Sequence, residues 1–391
     1  MTTRFCSAAV ALLVSLPAPG AVPAWVSEGP RVDRPSFSVD VPVDVLASMV
    51  LIDVEVGGKP RRFVFDTGSP SMMDAALADE LGLEAIDRRQ GHDAHGAVVD
   101  TRIVQADFDV GGVTFRKVPV FVAALPHTAR CLFDGVLGSE LLPLCAWQID
   151  VQDRRLRCNP DVSQLAHVAG AAKLPLHDFG YPHAPILDVA FARNATSKAL
   201  FDTGSPEYFA ISPQDFEGAR RNEGVERTIH GHGSIGGSAG GVAPDKDQLS
   251  VVLSSLSVGE LALGAVRAPL REVSPSLVGA SLLQHFVVTL DQRHAAAYFD
   301  RYRDGPFDRG SFGFGLAFED GVRVSLVWDG SPAHQAGLRV GERLRSINGT
   351  ETSSSCEGIR RAMRAVSESD RIVLERDDGA VALERHGASG D

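Results

Sequence analysis

The sequence predicts a mainly β protein of two similar lobes related by pseudo-two-fold symmetry, with a further module at its C-terminus. Three observations carry this prediction. The hexamer Phe65-Asp66-Thr67-Gly68-Ser69-Pro70 recurs letter for letter as Phe201-Asp202-Thr203-Gly204-Ser205-Pro206. A second landmark, Asp134-Gly135-Val136-Leu137-Gly138-Ser139-Glu140-Leu141-Leu142, is echoed by Ser276-Leu277-Val278-Gly279-Ala280-Ser281-Leu282-Leu283. Between the landmarks run short apolar stretches broken by Gly, Pro and Asp, the pattern of half-buried strands joined by turns. Matching features in one order at nearly constant offset indicate a duplicated domain.

The elements follow in order. Before each hexamer comes a strand-like stretch, Val50 to Val56 in one copy and Ile186 to Phe191 in the other. Ala75 to Leu83 reads as a short helix. Ile103 to Val110 and Val113 to Val122 read as a hairpin turning at Gly111-Gly112, and Val251 to Val258 and Leu261 to Val266 repeat that plan around Gly259-Glu260. Each downstream glycine is followed by a further hairpin: Trp147 to Asp150 returning through Leu156, and Val287 to Asp291 returning through Tyr298 and Phe299. The two halves are expected over residues 40–160 and 175–302, joined near Asn159 to Leu174.

Composition is that of a soluble globular protein, 44% hydrophobic and 23% charged, and 391 residues suffice for two or three cores. A formal net charge of −12 argues against a nucleic-acid partner, because no basic stripe is present to neutralise phosphates. Arg4, the apolar stretch Ala8 to Leu16 and the small residues Ala21-Val22-Pro23-Ala24 form a signal-peptide pattern over residues 1–24. The mature chain is expected to begin near Trp25, exported to a periplasm or secreted, with no transmembrane segment. Beyond it stand Cys131, Cys145, Cys158 and Cys356. The first three lie close together, so one disulfide among them is expected in an oxidising compartment, its pairing left open against unpaired buried thiols.

Each hexamer carries chemistry. Gly68 and Gly204 allow a tight backbone path, and their amides can donate to the preceding carboxylate. The hydroxyls of Ser69 and Ser205 can do the same, and Thr67 and Thr203 can bond across to the opposite copy. Two such loops face to face would hold Asp66 and Asp202 around one water. Like charges that close share a proton, so one carboxylate serves as general base while the other polarises a carbonyl.

These loops, each followed downstream by an apolar-apolar-Gly segment, resemble the pepsin/retropepsin-like aspartic peptidases over roughly residues 40–300. The resemblance implies a bilobal acid protease fold, endopeptidase activity on peptide or protein substrates, catalytic Asp66 and Asp202, cross-bracing Thr67 and Thr203, and no cofactor or metal. It also implies glycine-rich substrate flaps, expected as two mobile hairpins at Gly91, His92, His95 and Gly96 and at His232, Gly233 and Gly236. Turns alone would explain one hexamer but not an identical second. An inactive, peptide-binding descendant is the competing function class, and a homodimer pairing lobes between chains is unnecessary because one chain holds both loops. A monomer is expected.

Two other patterns compete for attention. His92, His95, His230 and His232 have spacings that a metal accepts, but without a fixing framework they read as loop histidines. Gly231-x-Gly233-x-x-Gly236 matches a dinucleotide-binding string, yet no helix pattern follows it.

From about Pro306 the character changes. Phe312-Gly313-Phe314-Gly315-Leu316, Gly330-Ser331-Pro332-Ala333, Ala336-Gly337-Leu338 and Ile347-Asn348-Gly349 resemble the PDZ domains of exported bacterial proteases over residues 308–387. The resemblance implies that Phe314, Gly315 and Leu316 lie in a loop taking a peptide C-terminal carboxylate. The adjoining groove would be lined by a helix over Gly358 to Val366.

Overall fold

The computed structural model describes residues 22–192 and 195–387. The apolar stretch Ala8 to Leu16 and Cys6 lie outside the described residues. The duplication is visible in a six-stranded sheet to which each half contributes a hairpin. Ala146–Asp150 with Arg155–Asn159 comes from the first half and Phe286–Asp291 with Ala296–Arg301 from the second. The hairpins meet at Trp147, Gln148 and Ile149, opposite Leu290, Thr289 and Val288. Val39–Pro42 and Ala172–Pro175, the strands that open the two halves, close the sheet at its edges.

Above this platform each half builds a second sheet. In the first, Lys59–Phe65 runs parallel to Gly135–Leu137, so the chain leaving Phe65 into the Asp66 loop is fixed beside the downstream landmark. In the second, Thr196–Asp202 runs parallel to Ser276–Gly279, and Asp202 itself stands opposite Gly279. Phe63, Phe65, Phe201, Phe299 and Trp147 belong to one buried cluster that spans both halves and the platform, so the two halves share a core.

Strand patterns mark existence well and length poorly. The expected hairpin at Gly111-Gly112 is Val98–Val110 paired with Val113–Ala123, and its partner in the second half is Lys246–Val258 paired with Leu261–Pro269. Both long strands extend through polar residues, because backbone pairing continues where side chains face solvent. The helix after the first hexamer is Ala75–Glu80, capped by the Asp74 side chain on the amide of Ala76.

The C-terminal module is not a separate body. Its strand Arg323–Trp328 pairs on one edge with Phe314–Ala317 and on the other with Val225–Gly233 of the second half. Helix Cys356–Glu368 covers the module's core, with Ile359, Ala362, Met363 and Val366 among Phe312, Phe314, Leu316 and Leu374.

Two disulfides staple this arrangement. Cys145–Cys158 spans a hairpin of the platform, Cα to Cα 5.9 Å. The Cys145–Cys158 bond is the one disulfide expected among the first three cysteines, and Cys131 pairs instead with Cys356, 225 positions away. Only packing of the terminal helix against the first half brings this pair together. Arg360 donates to the Cys131 carbonyl and Arg364 to Asp44 at 2.7 Å across the same contact.

Candidate active site between the lobes

The two hexamers meet. Thr67 N donates to Thr203 Oγ1 at 3.0 Å and Thr203 N to Thr67 Oγ1 at 3.2 Å. Each threonine hydroxyl then donates onward across the two-fold, Thr67 to the carbonyl of Phe201 at 2.6 Å and Thr203 to that of Phe65 at 2.7 Å. Four reciprocal bonds between buried groups fix the loops relative to one another, since any slip leaves polar groups unpaired. Gly68 N donates to Asp66 Oδ1 and Gly204 N to Asp202 Oδ1, both at 2.8 Å. Neither glycine could carry a side chain: a Cβ on Gly68 would overlap the Asp202 carboxylate, and one on Gly204 that of Asp66.

Asp66 and Asp202 are 2% and 1% exposed. Burial pushes the Asp66 carboxyl well above the usual carboxylate range, and the charge of Asp202 pushes the same way. Burial also raises Asp202, but the Arg271 guanidinium opposes the shift. The pair therefore holds a proton more readily than free carboxylates do, and the two carboxyls titrate as one unit. Asp202 Oδ2 is buried without a hydrogen-bond partner among the described residues.

Ser69 and Ser205 are braced alike through their backbones, the Ser205 carbonyl accepting from Ala280 N at 2.8 Å. Ser69 Oγ donates to the Pro70 carbonyl, and the Ser69 carbonyl accepts from Ser139 N at 2.8 Å, so the downstream landmark braces the loop from behind. Glu140 continues that brace: both its oxygens accept from Ser71 N at 3.0 Å. Burial pushes its carboxyl up to about 7. Nearby Tyr181 brings a phenol from the second half, raised by burial and by the Glu140 charge. Sequence reading missed Glu140, Tyr181 and Arg271; the first was visible only as an acidic residue inside an otherwise apolar landmark.

The first glycine-rich segment forms the expected hairpin, with Gly91 opposite Val99 and His92 opposite Val98. At its tip Asp93, 1% exposed, accepts from His95 N at 2.9 Å and Ala97 N at 2.8 Å. The same carboxylate accepts from Ser238 Oγ and, at 3.1 Å, from Gly240 N of the second half. A Cβ on Gly96 would lie 3.6 Å from Val273, two residues beyond Arg271, so this tip rests against the second half. The second segment is not the free flap expected. His232 and Gly233 lie in Val225–Gly233, bonded along both edges, and Gly236 N donates to Ser234 Oγ at 3.3 Å in the turn that follows.

The histidines are not gathered. Among the described residues the one group able to converge on a metal is Asp150, Asp153 and His167, where Asp150 already accepts from Arg157 at 2.9 Å. Trp25 is buried between the halves, its Nε1 donating to Asp87 at 2.9 Å and its ring edge-on to Phe121 and Tyr181.

In the C-terminal module, Phe314, Gly315 and Leu316 stand in a strand rather than a loop. The turn before them has its amides engaged: Gly310 N with Asp308, Ser311 N with the His386 carbonyl and Gly313 N with Ser311 Oγ. Strand pairing begins at Phe314 because Val327 is already in register opposite it.

Comparison with known proteins gave two family matches. Residues 52–141 match the family model of the aspartyl proteases, and residues 323–376 match that of the PDZ domains. Similar solved structures include the aspartic proteinase of Irpex lacteus, at 11% identity and a TM-score of 0.44, covering 68% of this chain and 97% of that one. Basic 7S globulin from soybean is similar at 9% identity and a TM-score of 0.42, covering 68% and 95%. No curated protein matched. The paired loops stand in a bilobal, mainly β fold, and the first half of it is similar to the aspartyl proteases over residues 52–141. The chain carries an aspartyl protease domain and a C-terminal PDZ domain.

Proposed function

We propose that the protein is an aspartic endopeptidase in which Asp66 and Asp202 activate one water against a peptide bond. The observation that carries this reading is the reciprocal bonding of Thr67 and Thr203, which holds two buried carboxylates together. One carboxylate of the pair takes the proton of the attacking water, while the other, protonated, donates to the scissile carbonyl. The proton taken from water passes to the leaving amine, and no covalent intermediate forms. Because one chain supplies both loops, a monomer suffices. The two disulfides support export to an oxidising compartment.

The test is cleavage of an unstructured protein across acidic to neutral pH by wild type, Asp66→Asn and Asp202→Asn. Each substitution is expected to lower the rate by about a thousandfold or more, since it removes the acid–base pair. A well-folded wild type that cleaves nothing at any pH would instead favour a peptide-binding adaptor.

A further inference from the structure

We propose that the PDZ domain is a working part of the cleft roof: through strand pairing it fixes the second flap, which in turn holds the tip of the first. The inference rests on the endopeptidase reading for its meaning and on backbone geometry for its support.

Gly231, His232 and Gly233 stand opposite Trp328, Val327 and Leu326. The pairing continues past both ends, with Asp329 N donating to the His230 carbonyl at 2.9 Å and Ser234 N to the Ser325 carbonyl at 2.7 Å. Side chains seal the seam: Ile229 and Val252 of the peptidase half are buried with Leu326 and Trp328 of the PDZ domain, and the Arg267 guanidinium lies 4.6 Å over the Trp328 ring.

Gly231 explains its own identity here. A Cβ on it would stand 2.7 Å from the Trp328 ring and 2.9 Å from the Val327 carbonyl, both PDZ atoms. This glycine therefore serves close approach of the PDZ strand.

Beyond Gly233 the chain turns into the small hairpin Gly237–Ser238 with Gly241–Val242. Its Ser238 hydroxyl and Gly240 amide are the cross-lobe donors to Asp93. An unbroken series thus runs from the PDZ strand through Val225–Gly233 to the first flap tip, which spans from the first half to the second. A substrate entering the cleft must part Asp93 from a platform that the PDZ domain holds in place. The PDZ domain would then matter even for substrates too short to reach any groove on it, which recruitment alone does not predict.

The experiment uses the full chain with Gly231→Val, a residue suited to strands that cannot accept the PDZ strand at its present distance. On a peptide of about eight residues, KM is expected to rise by about tenfold with a smaller change in kcat, the signature of lost positioning. Gly231→Ala should be milder. Hydrogen exchange, which needs no activity, should quicken in residues 225–241 and also in residues 91–97 of the variant. A folded Gly231→Val that cleaves the short peptide as wild type does would overturn the proposal. So would faster exchange confined to residues 225–233. Should Gly231→Val fail to fold, Trp328→Ala takes its place with the same two readouts. If the wild type is inactive, the exchange data still decide the coupling, and only the endopeptidase reading falls.

Discussion

Arg271 stands close enough to Asp202 for its charge to oppose what burial does to that carboxyl, whereas the groups acting on Asp66 are Asp202, Gly68 and Ser69. Removing the charge in Arg271→Gln raises the pH at which Asp202 ionises. The acidic limb of kcat/KM against pH is therefore expected to move to higher pH, and an unmoved limb would detach Arg271 from the dyad. Glu140 makes a prediction of different kind. Its carboxyl lies near 4.5 when free and about 7 when buried in the fold, so the folded chain holds the proton more tightly. Stability from this group is complete below about pH 4.5 and is lost as pH rises towards 7, on the order of 3 kcal/mol in all. Glu140→Gln keeps an acceptor for Ser71 N and cannot ionise, so denaturant midpoints should show a flatter slope across that window. Sequence marked Asp66, Thr67, Asp202 and Thr203 because they recur. It could not mark Arg271, whose relevance depends on a strand returning it to the dyad from sixty-nine positions away (202 to 271).

Among elements, the strands beside the hexamers were legible because a strand covered on both faces reads as a near-continuous apolar run. The flaps were legible as glycine-rich segments, but their freedom was not. Gly231 and Gly96 look alike in sequence, yet one admits a neighbouring strand and the other completes a turn at φ +80°. The helix Cys356–Glu368 shows the same limit. Its buried stripe of Ile359, Met363 and Val366 follows from helical spacing, while Cys356, Arg360 and Arg364 point to the first lobe for reasons no local pattern contains. Replacing Cys131 and Cys356 by serine removes a crosslink that closes a very long loop. A loss of about 2–5 kcal/mol is expected in chemical denaturation, with the greater change in exchange near residues 354–364. A loss confined to the PDZ strands would mean that the helix is held by packing alone.

At the scale of the molecule, two lobes and a PDZ domain share one continuous set of contacts, with one nine-stranded sheet containing both the Asp202 strand and the PDZ strands Arg323–Trp328 and Phe314–Ala317. Cleft opening, second-flap position and PDZ docking are thus one mechanical problem, and the disulfide to the first lobe adds a second attachment on the far side of the cleft. The sequence by itself determined the duplication, the mainly β character, the identity of the paired loops and the presence of a C-terminal module. Each of these is written in short-range pattern or in repetition, which survive reading in one dimension. Tertiary structure alone decided that Cys131 reaches Cys356, that Glu140 braces Ser71 and Arg271 acts on Asp202, and that Val225–Gly233 lends its second edge to another domain. These are long-range pairings, where a strand edge or a charge takes whichever partner the packed fold delivers, and no local preference names that partner in advance.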